Sequence, residues 1–174
     1  MLISRVLTVV AAASLLGLPA EAQRRASPHE QTSVTIDGKK ITIEYGRPYM
    51  KGRKIFGGLV PYGEVWRAGA DEATVLTTQA DLTIGGLQVP KGSYALFAIP
   101  QANSWTLAVN KVAKQWGAFS YDQSKDLGRT EMKVSTAGTP LEQFTISLEA
   151  AGAKRGVLKM AWDRTVAAAD FSAN

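Results

Sequence analysis

This chain of 174 residues contains no cysteine and a single histidine, His29. Without thiols it can form no disulfide, iron–sulfur cluster or thiolate metal site, and it has no cysteine nucleophile or lipidated signal-peptide cysteine. With one histidine, set in a polar N-terminal stretch, neither a Ser–His–Asp triad, a histidine-based zinc site nor haem ligation is expected. Also missing are a glycine-rich phosphate loop, a calcium loop with alternating acids and any internal repeat. The chain is therefore expected to fold without a cofactor or metal.

The N-terminus has an export pattern. Arg5 precedes an apolar run from Val6 to Leu16, and Ala20-Glu21-Ala22 supplies small residues around a cleavage point. Residues 1–22 read as a signal peptide, so the protein is expected to be exported to the periplasm or the medium. The apolar run falls short of the roughly 20 residues of a membrane span, so no stable membrane insertion is expected. Cleavage removes one cation (Arg5) and one anion (Glu21) and leaves the net charge of +5 unchanged. Outside the cytoplasm such a charge keeps a protein soluble or meets anionic glycans, phosphates and lipid headgroups; nucleic acid is not an expected partner. No feature fixes an oligomeric state.

What is present is mostly strand and turn. Residues 23–31 (QRRASPHEQ) are polar, include a proline and read as a flexible leader, with a single domain over 32–174. Ser33–Ile36 and Lys39–Tyr45 flank Asp37-Gly38, a strong two-residue hairpin signal that sets Val34 opposite Ile41. Leu82/Ile84 and Leu87/Val89 alternate around Gly85-Gly86 in the same way. Tyr94–Ile99 is apolar on both faces, as a central covered strand should be. Shorter alternations follow at Trp105–Val109, Met132–Val134, Phe144–Leu148 and Leu158–Trp162, and Glu72–Thr78 also reads as a strand. Only Lys111–Trp116 looks helical, with Asn110 as N-cap and Gly117 as stop. About ten short strands indicate an all-β fold, an antiparallel β-sandwich or small barrel.

One segment breaks the alternation. Gly46–Thr74 carries Tyr49, Phe56, Tyr62 and Trp66 among arginines, glycines and two prolines. Its hydrophobicity is too high for disorder, so it reads as a long ordered loop, where function concentrates. Between Arg47 and Arg67 lie five cations (Arg47, Lys51, Arg53, Lys54, Arg67) and one acid, Glu64. Arginine beside aromatic rings suits bidentate capture of a carboxylate or phosphate. Lys51–Lys54 also fits a solvated basic turn. Arg67, between Trp66 and the small residues Ala68-Gly69-Ala70, is expected to be partly buried and paired with Asp71 or Glu72. Those two acids are adjacent, so on a strand they would face opposite ways and could not form a hydrolase pair by themselves. Trp116, Phe119 and Tyr121 are either core residues or a platform for stacking sugars. The candidate ligand-binding set is Arg47, Arg53, Tyr62, Trp66, Arg67, Asp71, Glu72, Trp116 and Tyr121.

Lys51–Thr74 (KGRKIFGGLVPYGEVWRAGADEAT) resembles a bacterial exported family known as domain of unknown function 2911. The likeness continues through Pro90–Phe97 (PKGSYALF), Asn110-Lys111, Gln115–Ala118 (QWGA) and Tyr121–Asp126 (YDQSKD). Arg67 and Asp71 both fall on its pattern, where Asn is an alternative at the latter. The resemblance implies one exported domain and brings no catalytic residues with it. Three readings stay open. The first is binding of a glycan or anionic small molecule through the Arg/aromatic loop. The second is carboxylate-dependent hydrolysis or lysis of envelope saccharide, which needs two carboxyls in one cleft, one of them held protonated. The third is a structural or chaperone-like role, which needs an exposed apolar patch or a free sheet edge.

Overall fold

The turn chemistry of the sequence sets the two short hairpins. Asp37 and Gly38 both adopt positive φ (49° and 73°), the mirror-image turn whose twist suits paired strands. They join β1 (His29–Ile36) to β2 (Lys39–Gly46), with Val34 opposite Ile41. Gly85 and Gly86 repeat the device between β4 (Leu82–Ile84) and β5 (Leu87–Val89). The remaining strands are β3 (Thr74–Thr78), β6 (Gly92–Pro100), β7 (Ser104–Asn110), β8 (Asp126–Ala150) and β9 (Arg155–Ala173). These elements come from a computed structural model that describes residues 25–174. The expected signal peptide lies outside the described residues. No helix among the described residues is long and apolar enough to cross a membrane.

The nine strands form one antiparallel sheet in the order β1-β2-β3-β6-β7-β8-β9-β4-β5. Strand β6 lies near its middle, and Ala95, Leu96, Phe97 and Ala98 are each 0 % exposed. Leu96 and Ala98 enter the main core; Ala95 and Phe97 enter a smaller cluster roofed by Val65, Ala118 and Tyr121. That roof explains why the strand is apolar on both faces.

Strands β8 and β9 depart from the expected series of short strands. They run 25 and 19 residues, with breaks in register on either side of Leu141. Bulges of this kind bend a strand without ending it. Gly138 and Pro140 therefore lie within one continuous strand near these breaks. Beyond the bend β8 packs behind β2: the Tyr45 hydroxyl donates to the Ile146 carbonyl (3.3 Å) and accepts from the Ile146 N–H (3.0 Å).

The expected helix over Lys111–Trp116 is absent. Asn110 is fully buried, and its Oδ1 accepts from the Val112 N–H (3.0 Å) and from Gln115 Nε2 (3.0 Å), closing a local turn. The segment then pairs outward: Ala73 N–H donates to the Gln115 carbonyl (3.0 Å) and Gly117 N–H to the Asp71 carbonyl (3.0 Å). The one helical element among the described residues is a 3-10 turn, Gln123–Lys125. At the other end, His29–Gln31, expected in the leader, open β1.

Candidate ligand-binding cleft

The long loop is ordered because its apolar residues fill the core. Ile55, Phe56, Val60 and Trp66 are buried, and Trp66 stacks near-parallel on Trp162 at 6.1 Å and edge-on to Phe144 at 5.0 Å. The Trp66 backbone exchanges two hydrogen bonds of 2.8 Å with Ala98 on β6. Arg67 leaves the sheet at this anchored point.

The turn that follows lies hard against the end of β2. A Cβ on Gly46 would stand 2.2 Å from the Ala70 carbonyl oxygen, and one on Gly69 would stand 2.9 Å from the Gly46 oxygen. Only glycines allow this approach. Ala68 and Asp71 both adopt left-handed φ (51° and 63°), which costs a residue with a Cβ about 1–2 kcal/mol. The conformation is held by Thr74 Oγ1 donating to the Ala68 carbonyl (2.6 Å) and by Trp66 Nε1 donating to the Gly69 carbonyl (3.2 Å). Strain held in place like this is common at functional sites.

Asp71, only 8 % exposed, receives the backbone N–H groups of Ala26 and Ser27, both at 3.1 Å. Burial works to raise its pKa, but those two amides and nearby His29 outweigh it, so the carboxyl is held below its usual range. Glu72 is clamped by Arg25, with Nε and NH2 each 2.9 Å from Oε1. Burial again opposes ionisation, and Arg25 and His29 overcome it, so Glu72 is also held low. His29 Nε2 lies 3.4 Å from Asp71 and 3.2 Å from Glu72, close enough for charge attraction but not aligned for a hydrogen bond. Two adjacent acids thus meet one imidazole, because Asp71 sits in a left-handed turn and the alternation of a strand does not apply to it.

Arg67 differs from the expectation of an internal partner. Its buried Nε has no hydrogen-bond partner among the described residues. Burial pushes the guanidinium below its ordinary pKa, and the charge of Asp71 only partly offsets this. Asp71 does not bond it: the carboxylate receives the Ala26 and Ser27 amides, and its charge reaches Arg67 only at a distance.

Arg67 and Asp71 line a cleft of about 430 Å³ with Trp66 and Trp162 beneath and Tyr49, Lys51, Arg53 and Leu59 around it. Tyr49 (40 %) and Leu59 (47 %) stay exposed at the rim. Arg53 is fixed there by donating to the carbonyls of Met50 (2.9 Å) and Tyr49 (2.6 Å). A second cleft of about 530 Å³ lies beyond Glu72, lined by Arg25, His29, Glu44, Lys114 and Trp116 among others. No group of three or more His, Asp or Glu among the described residues is arranged to hold a metal ion.

Of the candidate residues, Arg53, Trp66, Arg67 and Asp71 share the first cleft, and Glu72 and Trp116 lie in the second. Arg47, Tyr62 and Tyr121 line neither. Arg47 ties strands together, donating to the Phe144 carbonyl (3.0 Å) and Thr145 Oγ1 (2.9 Å) and pairing with Glu30. Tyr62 lies against Gly57. Tyr121 packs on Phe97 at 4.8 Å, while its hydroxyl donates to Asp126 and accepts from Arg129, both at 2.6 Å. Sequence reasoning left out Ser27, His29 and Trp162: the first two sat in a polar leader, and the third lay in a plain strand alternation.

No curated protein and no solved structure matches this chain. A family model does, over residues 27–171, from Ser27 on Asp71 to Phe171 in β9; its description is Protein of unknown function (DUF2911). The chain belongs to that family.

Proposed function

We propose that the first cleft binds a carboxylate- or phosphate-bearing ligand, such as an acidic sugar, and that the protein does so after export. One observation carries this reading: a buried arginine nitrogen without a partner, in a cleft bordered by two further cations. A buried donor left without an acceptor costs stability, and an oxygen of a bound ligand would complete it. The guanidinium fork of Arg67 fits a planar carboxylate in two-point contact, Lys51 and Arg53 add attraction at the rim, and Tyr49 offers a ring face. The chemistry favours binding over hydrolysis. Asp71 and Glu72 are both held ionised, so neither is the protonated acid that glycoside cleavage requires.

Isothermal titration of the mature protein with galacturonate, inorganic phosphate and neutral galactose tests this. The acidic sugar or phosphate should bind and galactose should not, and Arg67→Ala should lose at least tenfold in affinity. Equal binding of galactose, or an Arg67→Ala protein that binds as the wild type does, would refute it.

A further inference from the structure

We infer that the two clefts are successive subsites for one acidic oligosaccharide, which crosses the wall between them. The inference rests on the reading of the first cleft as an anion site and names the class of ligand for it.

The wall is one chain thick. Asp71 lines the first cleft and the next residue, Glu72, lines the second; Ser27 lines the first and His29 the second. Consecutive Cα atoms are about 3.8 Å apart, so the clefts are neighbours across a single strap of backbone. The strap residues beside Asp71, Ala26 and Ser27, carry small side chains.

The second cleft presents more than acid. Glu72 is occupied by Arg25, and Glu44 Oε1 accepts from Gln31 Nε2 at 2.9 Å. Those acids are partnered, while the half-buried Trp116 offers an indole face and Lys114 an exposed ammonium. An aromatic face beside a cation suits a sugar ring bearing a carboxylate. The loop carrying Trp116 is also fastened to the wall, through the Glu72–Trp116 bridge and the Gly117 N–H on the Asp71 carbonyl. The two subsites are therefore held at a fixed spacing. Each cleft falls within the size range of small-ligand sites, and joining them makes the second contact intramolecular.

The test is titration with galacturonate, its linear tetramer and a neutral glucose tetramer. The acidic tetramer should bind at least tenfold more tightly than the monomer, with one tetramer per protein, and the neutral tetramer should bind weakly or not at all. Trp116→Ala should abolish the gain from chain length; its melting temperature checks that it folds. Lys114→Gln, at an exposed position, should cut tetramer affinity a few-fold on its own. Equal affinity for monomer and tetramer, or a chain-length gain that survives Trp116→Ala, would overturn the joined groove and leave the first cleft's reading standing. Failure of monomer and tetramer alike to bind would overturn the joined groove, and failure of inorganic phosphate as well would overturn both.

Discussion

The two clefts on either side of the Asp71–Glu72 wall differ in how their charges are met. In the second, Glu72 is clamped by Arg25, and Glu44 accepts from Gln31. In the first, the acid is satisfied by backbone amides while the half-buried Arg67 is left without a hydrogen bond at its buried Nε. The lesson concerns pairing rules. Acid and base near each other in sequence need not pair. The strap of Ala26 and Ser27 holds Asp71, and Arg67 Nε has no acceptor.

The largest effect on this arrangement should come from Gly46→Ala. A methyl placed 2.2 Å from the Ala70 carbonyl oxygen must push the whole turn away from β2. A loss of about 3 kcal/mol is expected by denaturant unfolding, together with loss of ligand binding. Wild-type stability would mean that the turn is not pinned where the structure puts it.

Asp71→Asn should come next, at about 2 kcal/mol, because an amide offers one acceptor where two backbone donors wait. This loss should depend on pH. Both Asp71 and Glu72 are held below their unfolded values, which lie near 4. Their contribution is thus complete above about pH 5 and disappears as pH falls through 4 and below. The stability gap between wild type and Asp71→Asn should narrow over that same window. A gap that stayed constant down to pH 3 would place the carboxylate's role elsewhere.

Glu72→Gln should cost less than Asp71→Asn, since its partner Arg25 is well exposed and such pairs are screened. Raising salt should shrink the Glu72→Gln effect and barely touch the Asp71→Asn effect. Equal salt dependence would erase the distinction between the two sides of the wall.

Much of the fold was legible because local signals agreed. In both short hairpins the turn residues and the alternation specified one register, and Tyr94–Ile99 announced its double burial by composition alone. The loop aromatics Phe56 and Trp66 likewise indicated order. The site was less legible, for reasons of distance. Asp71 meets Ala26 from 45 positions away, and nothing near either residue signals the contact. The helix expected after Asn110 failed although Asn110 Oδ1 accepts the Val112 N–H as a cap would, because the Gln115 carbonyl and the Gly117 N–H pair with Ala73 and Asp71 instead of within a helix. His29 was set aside with a polar leader, although it begins a strand and faces both acids. Arg67 could be recognised as partly buried from its small neighbours, but the lack of an acceptor at its Nε depends on how the turn Ala68–Asp71 is folded.

That unpartnered arginine is the central claim, and one measurement tests it: the melting temperature of wild type and Arg67→Met, each with and without saturating galacturonate. A methionine fills similar space without a charge to bury, so ligand-free Arg67→Met should melt at or slightly above the wild type. Galacturonate should raise only the wild-type melt, since a ligand stabilises the state it binds. If ligand-free Arg67→Met instead melts several degrees lower and both proteins answer galacturonate alike, Arg67 has an internal partner and the binding account is wrong.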